Sequence, residues 1–215
     1  MSRIRTGAIG LSVAAMLLGC ASTPPSSFYT LAPMAPAAGE AERSWQALSV
    51  GLGPVTFPVF LDRPQIVARE TGNRLMIDEY HRWGGTLQDD FLRVWSENLG
   101  RLLGSSRILV LPSDIRYPLD YRVGAEVLAF EGTERGEAVL KVRWVVLEPA
   151  RDRVLLVRED RYARPWSGAE TDRDALIEAL SGVLADFSRD VARALSALPP
   201  PAEALGDPAS ADQAR

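Results

Sequence analysis

Apolar and charged side chains alternate along residues 137–147. Leu140, Val142, Trp144 and Val146 are interleaved with Lys141, Arg143 and Val145, the two-residue period of a strand with one face in a core and the other toward water. Two similar runs, Asp120–Glu131 and Arg153–Ala163, are set off from it by the turn-rich stretches GTERG and EPARD, so the three predict a meander of long strands. Shorter strands are predicted over Leu48–Val55, Gln65–Arg69, Arg74–Trp83 and Arg107–Leu111, with a brief β segment at Phe28–Leu31. Two segments change to the helical period. Leu87, Phe91, Val94, Trp95, Asn98 and Leu102 mark one face of a helix over Leu87–Leu103, opened by Thr86 with Asp89 and closed by Gly104. Leu176, Leu180, Val183, Phe187, Val191 and Leu195 mark a second over Asp172–Leu198, with Thr171 and Asp174 repeating the capping signal. This order predicts an α/β two-layer sandwich, a mixed and mostly antiparallel sheet with two helices packed on one face.

The first twenty residues have a different pattern. Arg3 and Arg5 precede an apolar run of eleven residues, Ala8–Leu18. At the helical rise that run reaches about 16 Å, roughly half a bilayer's hydrocarbon core. It therefore reads as a cleavable export signal rather than a membrane span. The signal ends in Leu17-Leu18-Gly19-Cys20, which resembles the bacterial lipobox. That resemblance implies cleavage between Gly19 and Cys20 and a covalent lipid on Cys20. Ala21 follows, where aspartate in lipoproteins of enteric type retains the protein at the inner membrane, so the resemblance implies the periplasmic face of the outer membrane. The expected organisation is a signal peptide over 1–19, a lipidated N-terminus and tether over 20–44, one domain over 45–198, and a disordered tail over 199–215.

Composition narrows the chemistry. The chain has 215 residues, 47% hydrophobic with five tryptophans, too apolar for a disordered protein. Its one cysteine excludes an internal disulfide. A net charge of −4 argues against nucleic acid as a partner, unless the basic residues gather on one face. His81 is the only histidine, so triads, zinc sites and histidine-based acid–base pairs lack their parts; it reads as a solvated or hydrogen-bonded side chain. Asp89 and Asp90 point about 100° apart on a helix and read as stabilisers of its N-terminus rather than as a catalytic pair. Gly51-Leu52-Gly53 is not continued as a nucleotide loop. No catalytic residue, metal site or cofactor is expected beyond the lipid on Cys20, and the protein is not expected to be an enzyme.

One segment does not fit a plain strand. Gly53–Val67 carries prolines at 54, 58 and 64 among apolar residues, and each proline removes a backbone donor. It reads first as a shaped connection, with Asp62 closing a turn and pairing with Arg63. A second reading is an exposed loop that meets a partner through Phe57, Phe60, Leu61, Asp62, Arg63, Pro64 and Gln65.

The lipobox, Tyr29-Thr30-Leu31, the run Leu61-Asp62-Arg63-Pro64-Gln65-Ile66-Val67 and the helix containing Glu97-Asn98-Leu99 together resemble the PqiC-type, or ABC-type transport auxiliary, lipoproteins over about residues 28–196. Phe60 departs from the pattern, which has a tyrosine before the leucine. The resemblance implies a non-enzymatic periplasmic component of an MCE-type intermembrane lipid transport system that supports membrane integrity. Its partners would be an MCE-family protein and the outer membrane, with self-association left open. The competing expectation is a structural or assembly lipoprotein, a plug or chaperone for another outer-membrane transporter.

Overall fold

The computed structural model describes residues 25–36, 48–166 and 172–199. The signal, Cys20, Thr171 and the tail beyond Pro199 lie outside the described residues. The elements run β1 (Ser27–Tyr29), β2 (Val50–Thr56), β3 (Gln65–Arg69), β4 (Leu75–Trp83), α1 (Leu87–Leu103), β5 (Ile108–Val110), β6 (Tyr121–Thr133), β7 (Glu137–Glu148), β8 (Arg153–Pro165) and α2 (Arg173–Ala197).

The helix ends show how local sequence sets these bounds. The Thr86 side chain accepts from the Asp89 amide at 3.2 Å, satisfying one of the donors that a helix start leaves open. Gly104 ends α1 at φ 60°, a left-handed conformation that glycine adopts without steric cost. For α2 the cap is Asp172, which accepts from the Ala175 amide at 3.0 Å, instead of the expected Thr171.

β6, β7 and β8 form the expected antiparallel meander. Beyond β6 the sheet departs from expectation. β2 lies parallel to the first half of β6 and carries β5 in parallel, while β3 lies parallel to its last residues and carries β4, then β1. Among the described residues four of the seven strand pairings are parallel, so the mostly antiparallel sheet is corrected, and the two-layer sandwich becomes a half-barrel curled around two helices. The reason lies in β2 and β3. Thr56 pairs with Glu126, and Ala68 with Gly132, so twelve residues of chain run beside six. β2 and β3 are two halves of one strand, and the surplus between them loops out where Pro58 and Pro64 cannot donate to the ladder.

The helices bury the face of β7 formed by Ala138, Leu140, Val142, Trp144 and Val146. Trp95 of α1 stacks on Phe187 of α2 at 5.1 Å between centroids, and Phe187 meets Trp144 at 6.0 Å. Asn98, part of the predicted apolar stripe, is fully buried and donates to Ser188 Oγ of α2 at 3.3 Å.

A strap formed by the segment after β1 crosses both helices. The Leu31 amide donates to Asp90 Oδ2 at 2.6 Å, the Ala32 amide to Ser181 Oγ at 3.0 Å and the Met34 amide to Asn98 Oδ1 at 2.8 Å. Leu31 itself is buried. Each bond satisfies a main-chain donor that would otherwise face the helices unpaired.

Candidate functional site

The looped-out segment 57–64 is the first candidate, and its geometry divides it. Leu61 is 2% exposed, in the core. Phe57 is half-buried with its ring edge-on to Phe91 at 5.4 Å. Phe60 is half-buried beneath the Arg69 guanidinium, 5.6 Å from the ring centroid, and Arg69 Nε in turn donates to the buried Glu131 at 2.5 Å. Val59, by contrast, is 86% exposed, and Asp62 and Pro64 also face solvent. Of the two readings, the shaped connection accounts for Phe57, Phe60 and Leu61, and exposure is confined to Val59, Asp62 and Pro64. Leu61 is unavailable to a partner and Phe57 and Phe60 largely so, because they fill the gap where β2 leaves β6.

The turn is closed by backbone bonds, Leu61 N to Pro58 O at 2.9 Å and Asp62 N to Val59 O at 3.2 Å. The expected Asp62–Arg63 pair is absent among the described ion pairs, and Arg63 Nε is enclosed without a hydrogen-bond partner. Gln65 Nε2 donates to Glu79 at 3.3 Å across to β4.

His81 sits in a second cluster. Its Nδ1 lies 2.8 Å from Asp78 Oδ1, and Arg173 Nε donates to Asp78 Oδ2 at 2.8 Å. The Tyr29 ring lies 5.8 Å from the imidazole. Burial alone would raise the Asp78 carboxyl, but hydrogen bonds from His81, Arg173 and the Tyr80 amide outweigh it and hold the group at about 2. This cluster fastens the start of α2 to β4 and β1.

Because the folded-state value lies below the ordinary 3.8, the cluster's contribution is full above that pH and is lost as the pH falls toward 2. The linked stability is about 2 kcal/mol. Asp78→Asn is expected to lose it at neutral pH and to show a flatter decline in melting temperature between pH 4 and 2 than the wild type. Parallel acid melts of the two proteins would refute the linkage.

Asp89 caps α1 as expected, whereas Asp90 holds the Leu31 amide and Arg93, at 2.6 Å each. Sequence reasoning missed that role, and it missed Arg173, which is 95 residues from Asp78. Asn98 within an apolar stripe was the one signal available for the strap. The described residues contain no group of three or more His, Cys, Asp or Glu placed to hold a metal ion.

Residues 29–192 match the family described as the ABC-type transport auxiliary lipoprotein component. The chain belongs to this family. Among the solved structures that resemble the auxiliary lipoprotein, two share its fold over most of both chains. One, an uncharacterized protein, is 16% identical with a TM-score of 0.65, covering 80% of this chain and 99% of its own. The other, from Xanthomonas campestris and of the family DUF330, is 19% identical with a TM-score of 0.62, covering 77% of this chain and 92% of its own. No curated protein matches the auxiliary lipoprotein. The matched span takes in the strap from Tyr29 onward, the loop and the Asp78 cluster, and it ends near the close of α2.

Proposed function

We propose that this auxiliary lipoprotein is a non-enzymatic docking component of an MCE-type intermembrane lipid transport system, held at the periplasmic face of the outer membrane by a lipid on Cys20. The family match over residues 29–192 carries the reading. The loop supports it. Leu61 and Phe57 root the segment in the core, which fixes the position of Val59, Asp62 and Pro64 at its exposed tip. A preordered tip loses little conformational entropy on binding.

The test is capture of the MCE-family protein of the same system. Val59→Asp is expected to weaken capture about tenfold by placing a charge in an apolar contact, with the melting temperature unchanged because the side chain is exposed. Leu61→Ala is the contrast, since it removes a buried side chain and should cost about 2–5 kcal/mol of stability. Undiminished capture by a variant combining Val59→Asp, Asp62→Ala and Pro64→Ser would count decisively against the loop.

A further inference from the structure

The sheet face turned away from the helices carries two adjoining hollows. One, of about 310 Å³, lies over Gly124, Val145, Leu147 and Val157. The other, of about 500 Å³, is bounded by Leu111, Ile115 and Leu119 from the segment after β5. Pro54 and Arg122 line both, so the two form one groove with an arginine at its middle. Val157 and Ile115 are 62% and 66% exposed. Single exposed apolar residues are ordinary, but a groove that joins an apolar hollow to one lined by both apolar and polar side chains marks a candidate binding surface.

The groove is built into the strands. A Cβ on Gly124 would meet Val145 at 3.4 Å and the Pro54 carbonyl at 3.6 Å, so any side chain there would occupy the first hollow. Gly53 has φ +122°, and a Cβ on it would lie 2.8 Å from the Leu111 carbonyl. The segment bounding the second hollow is therefore seated tightly on β2.

Two features decide what fits. First, the floor offers little to a peptide. Gly124 faces Val145 and Val145 faces Val157 within the sheet ladders, Pro54 has no amide hydrogen, and the Gly53 carbonyl already accepts from Arg122 Nε at 2.9 Å. An aliphatic chain needs no hydrogen-bond partner from this floor, whereas the backbone donors and acceptors of an extended peptide would have to be met by side chains or by the segment after β5. Second, the charge at the centre is not neutralised. Glu126 at the rim is paired with Arg143 at 2.9 Å, but among the described residues Arg122 makes no ion pair and Arg116, exposed in the second hollow, has no partner.

We infer that the groove binds a single anionic lipid, with its charged head at Arg122 and its aliphatic chains in the hollows on either side. This deepens the transport reading and rests on it for the ligand's role, but it is tested separately. The full-length protein carrying the photoreactive residue p-benzoylphenylalanine at Val157 is reconstituted in vesicles of phosphatidylethanolamine and phosphatidylglycerol and irradiated. The control places the same residue at Arg161, on the same face of β8 but outside the groove. The expected product at Val157 is a peptide bearing phosphatidylglycerol, at least five times more abundant than at Arg161. Arg122→Gln is expected to reduce it about tenfold, the effect of one charge-assisted contact, with the melting temperature held. Equal lipid labelling at both positions would mean that the face merely touches the bilayer. A peptide adduct at Val157 would assign the groove to a protein, and a product indifferent to Arg122→Gln would remove the anionic head. Each of these overturns the inference. Failed capture by Val59→Asp bears only on the docking loop, and lost cross-linking bears only on the groove.

Discussion

Phe187→Ala is expected to destabilise the domain by about 3–5 kcal/mol, the range for removing a fully enclosed aromatic ring. Phe187 has no exposed surface. Its ring stacks on Trp95 at 5.1 Å and meets Trp144 at 6.0 Å and Tyr162 at 5.9 Å. One side chain of α2 thus joins α1, β7 and β8. Such contacts add to the burial energy, each contributing about 0.5–1.5 kcal/mol beyond the area removed from water. The stacking also offsets a local cost, since the Trp95 indole N–H is buried without an acceptor. Losing Phe187 leaves that orphan donor beside a cavity. For a domain of this size each kcal/mol lowers the melting temperature by about 2–4 °C, so a fall of roughly 10 °C is expected in a thermal melt of the full chain. Ile115→Ser, at a 66% exposed position, is the reference and should move the melt by no more than about 0.5 kcal/mol. A Phe187→Ala protein as stable as that reference would mean that the helices and sheet do not share one core.

What the sequence revealed and what it hid divide along local and non-local physics. β3 and α1 fall where the pattern placed them, Gln65–Arg69 and Leu87–Leu103, because alternation, a threonine cap and a glycine stop are local signals. The partners of β2 and β3 were not legible. Nothing within either strand says that both lie along β6, since parallel pairing joins residues such as Val50 and Tyr121 that are far apart in the chain. The prolines mark the loop, but nothing in the local pattern separates its apolar residues into inward and outward sets. The structure gives them two duties, Leu61 inward and Val59 outward. The Asp78–Arg173 bond and the strap's anchors depend on the folded path, so only the polar Asn98 within an apolar stripe hinted at them.

Cys20→Ser is expected to abolish lipidation and to leave the protein soluble or as an uncleaved precursor. The reading begins from Leu17-Leu18-Gly19-Cys20, where the thiol is the group that lipid attachment requires. A serine hydroxyl at the same place is a far weaker nucleophile at neutral pH. Among the described residues no helix is long and apolar enough to cross a membrane. One acyl chain gives only reversible attachment, with an association constant of about 10⁴ M⁻¹, so firm anchoring through Cys20 would require more than one chain. The strap adds a geometric consequence. Seven residue steps lead from Cys20 to Ser27, where β1 begins to pair with β4, a reach of about 23 Å at full extension. A lipid on Cys20 would therefore hold the domain within that distance of the bilayer, with β1 and the strap bound by Asp90 and Asn98 as its first points of attachment. Fractionation after high-salt and alkaline washes should leave wild type in the membranes and Cys20→Ser in the soluble or unprocessed pool. Incorporation of a fatty-acid analogue should be lost in the same variant. A labelled, membrane-retained Cys20→Ser protein would place the anchor elsewhere and remove the basis for a tethered domain.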